Sequence, residues 1–103
     1  MTSQEIKLNY EMAEDMRKAF QDGVTKLQET MHEMQSVANL MSDSALKGRA
    51  GNAYVEAIRN RLCPSLSKLI DKFQELDGDI AAAVSAMQEA DQAAVNQFQS
   101  NSV

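Results

Sequence analysis

The strongest constraint on the fold is an apolar residue at every third or fourth position, a pattern that occurs in two long stretches of the chain. The first stretch runs from Ala13 to Met41 and the second from Leu62 to Ala94. This spacing places the side chains on one face of an α-helix. The sequence therefore predicts two long amphipathic helices. Their apolar stripes are Ala13, Met16, Phe20, Val24, Leu27, Met31, Met34, Ala38 and Met41, then Leu62, Leu66, Leu69, Phe73, Leu76, Ile80, Ala83, Met87, Ala90 and Ala94.

Polar residues and glycines separate the two stripes. The segment 42–52 holds Gly48 and Gly51 among Ser, Asp and Asn residues, a composition that favours a turn. Asn9 is placed to cap the first helix, because acidic residues follow it at the positive end of the helix dipole. Pro64 lies inside the second stripe and is expected to kink that helix without ending it. We predict a single domain with helix 1 at about 9–41, the turn at about 42–50, helix 2 at about 51–96 and a fraying tail at 97–103.

The apolar faces are wider than one contact between two helices can cover. Val37 and Leu40 widen the face of helix 1, and further apolar residues flank the stripe of helix 2. Packing two hairpins into a four-helix bundle covers faces of that width. We therefore predict an all-α, antiparallel helix-turn-helix hairpin that dimerises. The flanking residues of helix 2 are Cys63, Ile70, Val84 and Phe98, and the predicted core and dimer face consists of Phe20, Leu27, Met31, Met34, Leu66, Leu69, Phe73, Leu76, Ile80 and Met87.

Composition and charge argue against several classes of function. The chain has a net charge of −5, and its Lys and Arg residues are interspersed with acids. We therefore expect neither nucleic-acid binding nor attraction to an anionic membrane. No apolar run approaches the roughly 20 residues of a membrane span, so membrane insertion is not expected. The polar start of the chain lacks the apolar segment of a secretory signal, so any export is expected to use no cleaved signal peptide.

Three patterns could carry chemistry, and each has a simpler interpretation. Glu29 and His32 have the spacing of di-iron ligands in helical bundles, but the helix phase turns them largely towards solvent. The segment 77–79 begins like a calcium loop, yet Ala81 replaces the fifth-position ligand and the helical stripe continues through it. Cys63 and His32 lie on different helices with no third group to orient the imidazole. We predict no catalytic residue, no metal site and no cofactor.

Leu46-Lys47-Gly48, followed by Ala50, occupies the predicted turn. This segment resembles the turn of the WXG-motif family, the early-secreted-antigen-like substrates of type VII secretion, which carry Trp-x-Gly between two helices. It is more similar to the Leu-x-Gly variant of the targeting domains of LXG toxins. Leu62-Cys63-Pro64 resembles the family's Leu-x-Pro early in helix 2, and the segment 87–98 resembles the C-terminal part of the Gram-positive members. The resemblance covers nearly the whole chain.

The family's export signal is an aromatic residue followed four positions later by an acid, just beyond the hairpin. Phe73 and Asp77 match these letters, but they lie within the stripe of helix 2, where a structural role is expected. A partner chain could then supply the signal. Asp91 and Phe98 are further candidates for recognition, since an exposed aromatic on a loose helix end can anchor in a partner's groove. The alternative is that Phe98 caps the end of the bundle.

The resemblance implies a secreted substrate or export partner of a type VII system that acts by protein–protein recognition. The implied partners are a second copy of the chain, or a homologous hairpin or LXG toxin in a heterodimer, and a secretion ATPase that reads the turn and the C-terminal segment. Two alternatives stay open. The chain could be an accessory targeting chain for an LXG-type toxin, or a cytoplasmic structural coiled-coil module.

Overall fold

The computed structural model describes residues 2–43 and 48–101, and every residue in these ranges except Thr2 and Gly48 is helical. Helix α1 spans Ser3–Asp43 and helix α2 spans Arg49–Ala57. A π-helical turn, Ile58–Leu62, joins α2 directly to helix α3, Cys63–Asn101. Polar contacts pair the start of α1 with the end of α3, so the two arms are antiparallel. The predicted all-α hairpin is confirmed.

The first helix begins at Ser3, six residues before the predicted cap at Asn9. The backbone N–H of Glu5 donates to Oγ1 of Thr2 at 3.1 Å, and the Glu5 carboxylate accepts from the N–H of Thr2 at 3.3 Å. This reciprocal pair is a capping box, which satisfies two N–H groups that would otherwise lack partners. Thr2 and Glu5 therefore set the helix start, and Asn9 lies inside the helix.

The second arm begins two residues earlier than the predicted start of helix 2 at about residue 51. Helix α1 ends at Asp43, and α2 begins at Arg49 with Gly48 as its extended N-cap residue. Ala50 is exposed in the first turn of α2, whereas Leu46 lies outside the described residues. At the other end, α3 continues to Asn101, five residues beyond the predicted end of helix 2 at about residue 96.

The two arms form a rod with very little interior. Its extents are 83 × 19 × 16 Å, and its radius of gyration of 23.1 Å compares with about 13 Å for a compact domain of this length. Among the described residues, only four side chains are buried, namely those of Ala38, Ile58, Cys63 and Ile70. Met31, Met34, Val37 and Val55 pack against the cluster formed by the first three. The line along which the arms touch, which we call the seam, is therefore the whole core.

The seam positions of the second arm reveal an irregular step. Steps of three or four residues lead to Ile58 and resume after Cys63, but the step between these two buried residues is five. The N–H of Cys63 donates to the carbonyl of Ile58, as expected for a π turn that accommodates one extra residue. The seam residues of this arm are Gly51, Val55, Ile58, Cys63, Leu66, Ile70, Phe73, Asp77, Ile80 and Val84.

This step displaces the seam from the centre that the sequence predicts. Cys63 and Ile70, which the sequence analysis places on the flank, are 7% and 6% exposed. Leu69 and Met87, which the sequence analysis places in the stripe, are 42% and 36% exposed. The remaining large residues of the predicted face are half-buried in the hairpin. These are Phe20, Leu27, Met31, Met34, Leu66, Phe73, Leu76 and Ile80.

At Gly23 the second arm packs closely against α1. The rings of Phe20 and Phe73 meet edge to face with centroids 5.5 Å apart, and Phe73 lies over Gly23. A Cβ atom at Gly23 would lie 2.8 Å from Cε2 of Phe73, closer than real Cβ contacts. The glycine inside α1 is therefore a packing requirement and not a helix break.

We predict opposite effects for alanine at the two glycines inside the long helices. Gly23→Ala should lower the melting temperature, because the Phe73 ring must move away from Phe20 at a cost that exceeds the helix-propensity gain. Gly78→Ala has nothing within 4 Å of the added atom and should stabilise the protein by about 0.5–1 kcal/mol. Thermal and urea unfolding of both variants test this pair. Stabilisation by Gly23→Ala equal to that by Gly78→Ala would show that Phe73 does not pack on the glycine.

Candidate partner-binding surface

Large apolar side chains remain exposed along one side of the hairpin. In α1, Met12 and Met16 are 55% and 51% exposed. In the second arm, Leu62, Leu69 and Met87 are exposed and Leu76 is half-buried. We call this surface the leucine face and define it as Met12, Met16, Leu62, Leu69, Leu76, Ala83 and Met87.

Helix geometry places the contributions of the two arms on the same side. Met16 immediately precedes the half-buried Arg17, and Leu69 immediately precedes the buried Ile70. A residue one position before the seam lies about 100° to one side of it. The sense of this rotation reverses when a helix is viewed from its other end. Because the arms are antiparallel and face each other, the two offsets point to the same side of the hairpin.

The opposite side of the hairpin is polar. Residues one position after the seam include several amides, and those named below are exposed. Two open grooves follow this side, one lined by Gln35, Asn39, Arg59 and Cys63 and the other by Gln21, Val24, Gln74 and Asp77. We call this surface the glutamine face and define it as Gln21, Gln28, Gln35, Asn39, Ser67 and Gln74. The hairpin therefore presents one apolar and one polar face.

Polar contacts across the seam fix the register of the arms. Nε of Arg17 donates to Oδ1 of Asp77 at 2.9 Å, and the amide of Gln21 donates to Oδ2 at 3.4 Å. Near the turn, Arg59 donates to Asn39 at 2.8 Å, and near the open end the hydroxyl of Tyr10 donates to the carboxylate of Asp91. These contacts occur at three levels along the rod.

The same contacts shift two pKa values. The hydrogen bond from Arg17 lowers the pKa of Asp77 below its usual value of 3.8, because it favours the charged carboxylate. The hydrogen bond to Asp91 raises the pKa of Tyr10 above its usual value of 10.0, because it holds the proton on the phenol. Both contacts are therefore present at neutral pH in their favourable ionisation states.

The four residues considered for export recognition occupy different environments. Phe73 packs on Phe20 and Gly23, and Asp77 pairs with Arg17, so both members of the aromatic–acid match lie in the seam. Asp91 accepts the hydrogen bond from Tyr10. Phe98 is 75% exposed near the end of α3. Only Phe98 among these four side chains is presented to solvent without an interaction across the seam.

The remaining chemical candidates are also placed by the helices. Glu29 and His32 are exposed on α1, and Cys63 is a buried free thiol in the second arm. Within residues 2–43 and 48–101, no group of three or more His, Cys, Asp or Glu side chains could hold a metal ion. None of the helices built by these residues is long and apolar enough to cross a membrane.

The accessible surface is large for a chain of this size. The hairpin exposes 7919 Å², whereas a compact monomer of the same mass would expose about 5,800 Å². The difference of roughly 2,000 Å² exceeds the about 800 Å² that each partner buries in a standard protein–protein interface. The hairpin therefore has surface that a partner could cover, and the leucine face is one apolar part of that surface.

Charge is distributed unequally along the rod. The open half, residues 1–22 and 75–103, contains ten acidic and three basic residues. The turn half, residues 23–74, contains five acidic and seven basic residues. The open half thus carries a net charge of −7 and the turn half a net charge of +2, so the two ends of the molecule differ in sign.

A two-helix rod with a minimal core belongs to the class of small helical-hairpin proteins. The sequence model of the family described as proteins of 100 residues with WXG matches residues 5–92, and the chain belongs to this WXG100 family. Members are small helical proteins that commonly form dimers and are secreted by type VII systems without signal peptides. No curated protein and no solved structure shows a significant match.

Membership of the WXG100 family does not test the predicted Leu-x-Gly turn, which stays a prediction. The chain contains no tryptophan, so Trp-x-Gly itself is absent from the sequence. Sequence reasoning also missed Met12 and the outward position of Leu69. The available signal was the presence of two adjacent apolar residues in α3, as at Leu69 and Ile70, which shows that the helix carries two apolar stripes.

We predict that the seam ion pair contributes stability only where Asp77 is ionised. The pKa of Asp77 in the folded protein lies below 3.8. The stabilisation by the ion pair is therefore present at neutral pH and is lost as the pH falls through that pKa. Asp77→Asn should therefore lower the melting temperature at pH 7, and the difference from wild type should shrink below pH 3.8. Thermal unfolding followed by circular dichroism between pH 2 and 7 measures this. A difference that stays constant over the range would contradict the assignment.

Proposed function

We propose that the protein is a secreted substrate or export partner of a type VII secretion system and acts by protein–protein recognition. In this proposal the leucine face pairs with a second copy of the hairpin and the result is a four-helix bundle. The observation that carries the proposal is the exposure of Met12, Met16, Leu62 and Leu69 on one side of a rod in which only four of the described residues are buried. Membership of a family whose members commonly dimerise supports the choice of occupant.

Charge favours one orientation of the pair. In a parallel pair the two acidic open halves would lie side by side and repel each other. In an antiparallel pair each acidic half lies beside the turn half of its partner, where bases outnumber acids. We therefore propose an antiparallel homodimer. A two-fold axis then uses the same leucine face on both copies.

The C-terminal part of α3 is proposed to act in recognition by the secretion ATPase. All residues from Met87 to Asn101 are exposed, and the Tyr10–Asp91 hydrogen bond ties this part to α1. Val95 and Phe98 are apolar residues that the hairpin does not cover. An exposed apolar anchor on a helix end suits a partner that offers a hydrophobic groove.

We predict that Leu69→Lys separates the dimer and leaves the hairpin folded. Removal of two symmetry-related leucines should cost about 3 kcal/mol or more, which weakens pairing at least about a hundredfold. Ser67→Lys is the matched control, because it adds the same charge to α3 on the glutamine face. Light scattering and circular dichroism should show a helical monomer for Leu69→Lys and a dimer for Ser67→Lys. A dimeric Leu69→Lys protein would exclude the leucine face, and a monomeric wild type would exclude the homodimer.

We predict that truncation after Asn96 abolishes export and has little effect on melting. The removed segment has no buried residue among 97–101, so its loss should leave the seam intact. Phe98→Ala should reproduce the export defect, whereas Ser100→Ala should export normally. Secretion by a strain that depends on the system and thermal unfolding of the purified variants are the two measurements. A large fall in melting temperature with export retained would instead assign Phe98 to the bundle end.

A further inference from the structure

Two apolar stripes run side by side along α3. The seam uses Cys63 and Ile70, and the leucine face uses Leu62 and Leu69, each one position earlier. The same relation continues down the helix, since Leu76 precedes Asp77 and Ala83 precedes Val84. Either stripe is apolar enough to close the hairpin against α1. The sequence of α3 alone therefore does not determine how α3 is rotated about its own axis relative to α1, which we call its rotational setting.

The π turn determines this setting. The seam of α2 reaches Ile58, and ordinary helical spacing would next place Leu62 against α1, followed by Leu69 and Leu76. The extra residue in the π turn rotates α3 by about 100° relative to α2. Cys63 and Ile70 then enter the seam, and the leucine stripe turns outward.

Pro64 gives a physical reason for the π turn. A proline inside an α-helix has no N–H for the carbonyl four residues earlier, here that of Asn60, and its ring collides with that carbonyl. A wider turn immediately before the proline separates the two groups, and the observed π turn ends two residues before Pro64. The rotation also aligns Asp77 with Arg17, whereas the alternative setting would bring Leu76 to that position.

We infer that Pro64, acting through the π turn Ile58–Leu62, selects which stripe of α3 closes the hairpin and thereby builds the leucine face. The role of that face in pairing rests on the function proposed above. The selection itself concerns only the hairpin. Pro64 is in this sense a positioning residue, because it acts on the partner surface through the rotation of α3.

The thiol of Cys63 reports the setting directly. It is 7% exposed in the seam, and the alternative rotation would move it to the glutamine face, next to exposed positions such as Ser67. In Pro64→Ala, we expect Cys63 to react with an aromatic disulfide reagent at nearly the rate of the unfolded chain. The protein should remain helical and become monomeric, because the leucine stripe is then buried against α1 and is not available to a second copy. Ile70→Cys in a Cys63→Ala background serves as a second reporter.

A compensating deletion separates rotation from simple loss of stability. Removing the exposed Asn60 in the Pro64→Ala background converts the five-residue step into an ordinary step of four. This double variant should protect Cys63 again and recover the dimer. Restoration supports the inference even if Pro64→Ala alone loses helicity.

Two results would overturn the inference. One is a Pro64→Ala protein with a protected Cys63 and an unchanged mass. The other is a double variant that stays as reactive or as unfolded as Pro64→Ala. A monomeric wild type would refute the proposed pairing, while Cys63 reactivity in the same variants would still decide whether Pro64 sets the rotation.

Discussion

Two helices side by side can bury only the residues on the line where they touch, and this limit governs the whole molecule. Only Ala38, Ile58, Cys63 and Ile70 are buried among the described residues, all of them in the central and turn-proximal parts of the rod. A core of that size contributes little against the conformational entropy of about a hundred residues. The hairpin therefore needs either strong local helix formation or a partner that covers its apolar side. Alanine, glutamine and glutamate favour local helix formation, and the leucine face offers an apolar surface to a partner.

The fold class follows from the sequence because the apolar spacing persists for many turns. The spacing from Ala13 to Met41 leaves no alternative to a long helix, and the polar, glycine-containing segment before Tyr54 leaves no alternative to a break. The helix start was misplaced because two capping signals compete. The Thr2–Glu5 capping box satisfies two backbone groups, so the helix begins six residues before Asn9.

The partner surface was harder to predict, for a reason that is also physical. A helical stripe specifies an angle around the helix axis, and that angle is meaningful only while the pitch is constant. Pro64 indicated an irregularity, but a kink and a π turn satisfy the same missing hydrogen bond in different ways. A kink preserves the rotational setting, whereas the π turn changes it by one residue. The Phe73–Asp77 match was ambiguous for the same reason, since its exposure depends on this setting.

Apolar and polar contacts have different roles in a rod of this kind. Apolar stripes are nearly periodic, so a slide of one arm by a helical turn would replace one set of apolar contacts with another of similar quality. Arg17 and Asp77 remove that degeneracy, because a slide would leave a half-buried carboxylate without its partner, which costs more than the pair itself gains. Arg59–Asn39 and Tyr10–Asp91 apply the same constraint at the two ends. The register is thus fixed by polar pairs within the hairpin, while the leucine face lacks such pairs across the arms and is free to match a second molecule.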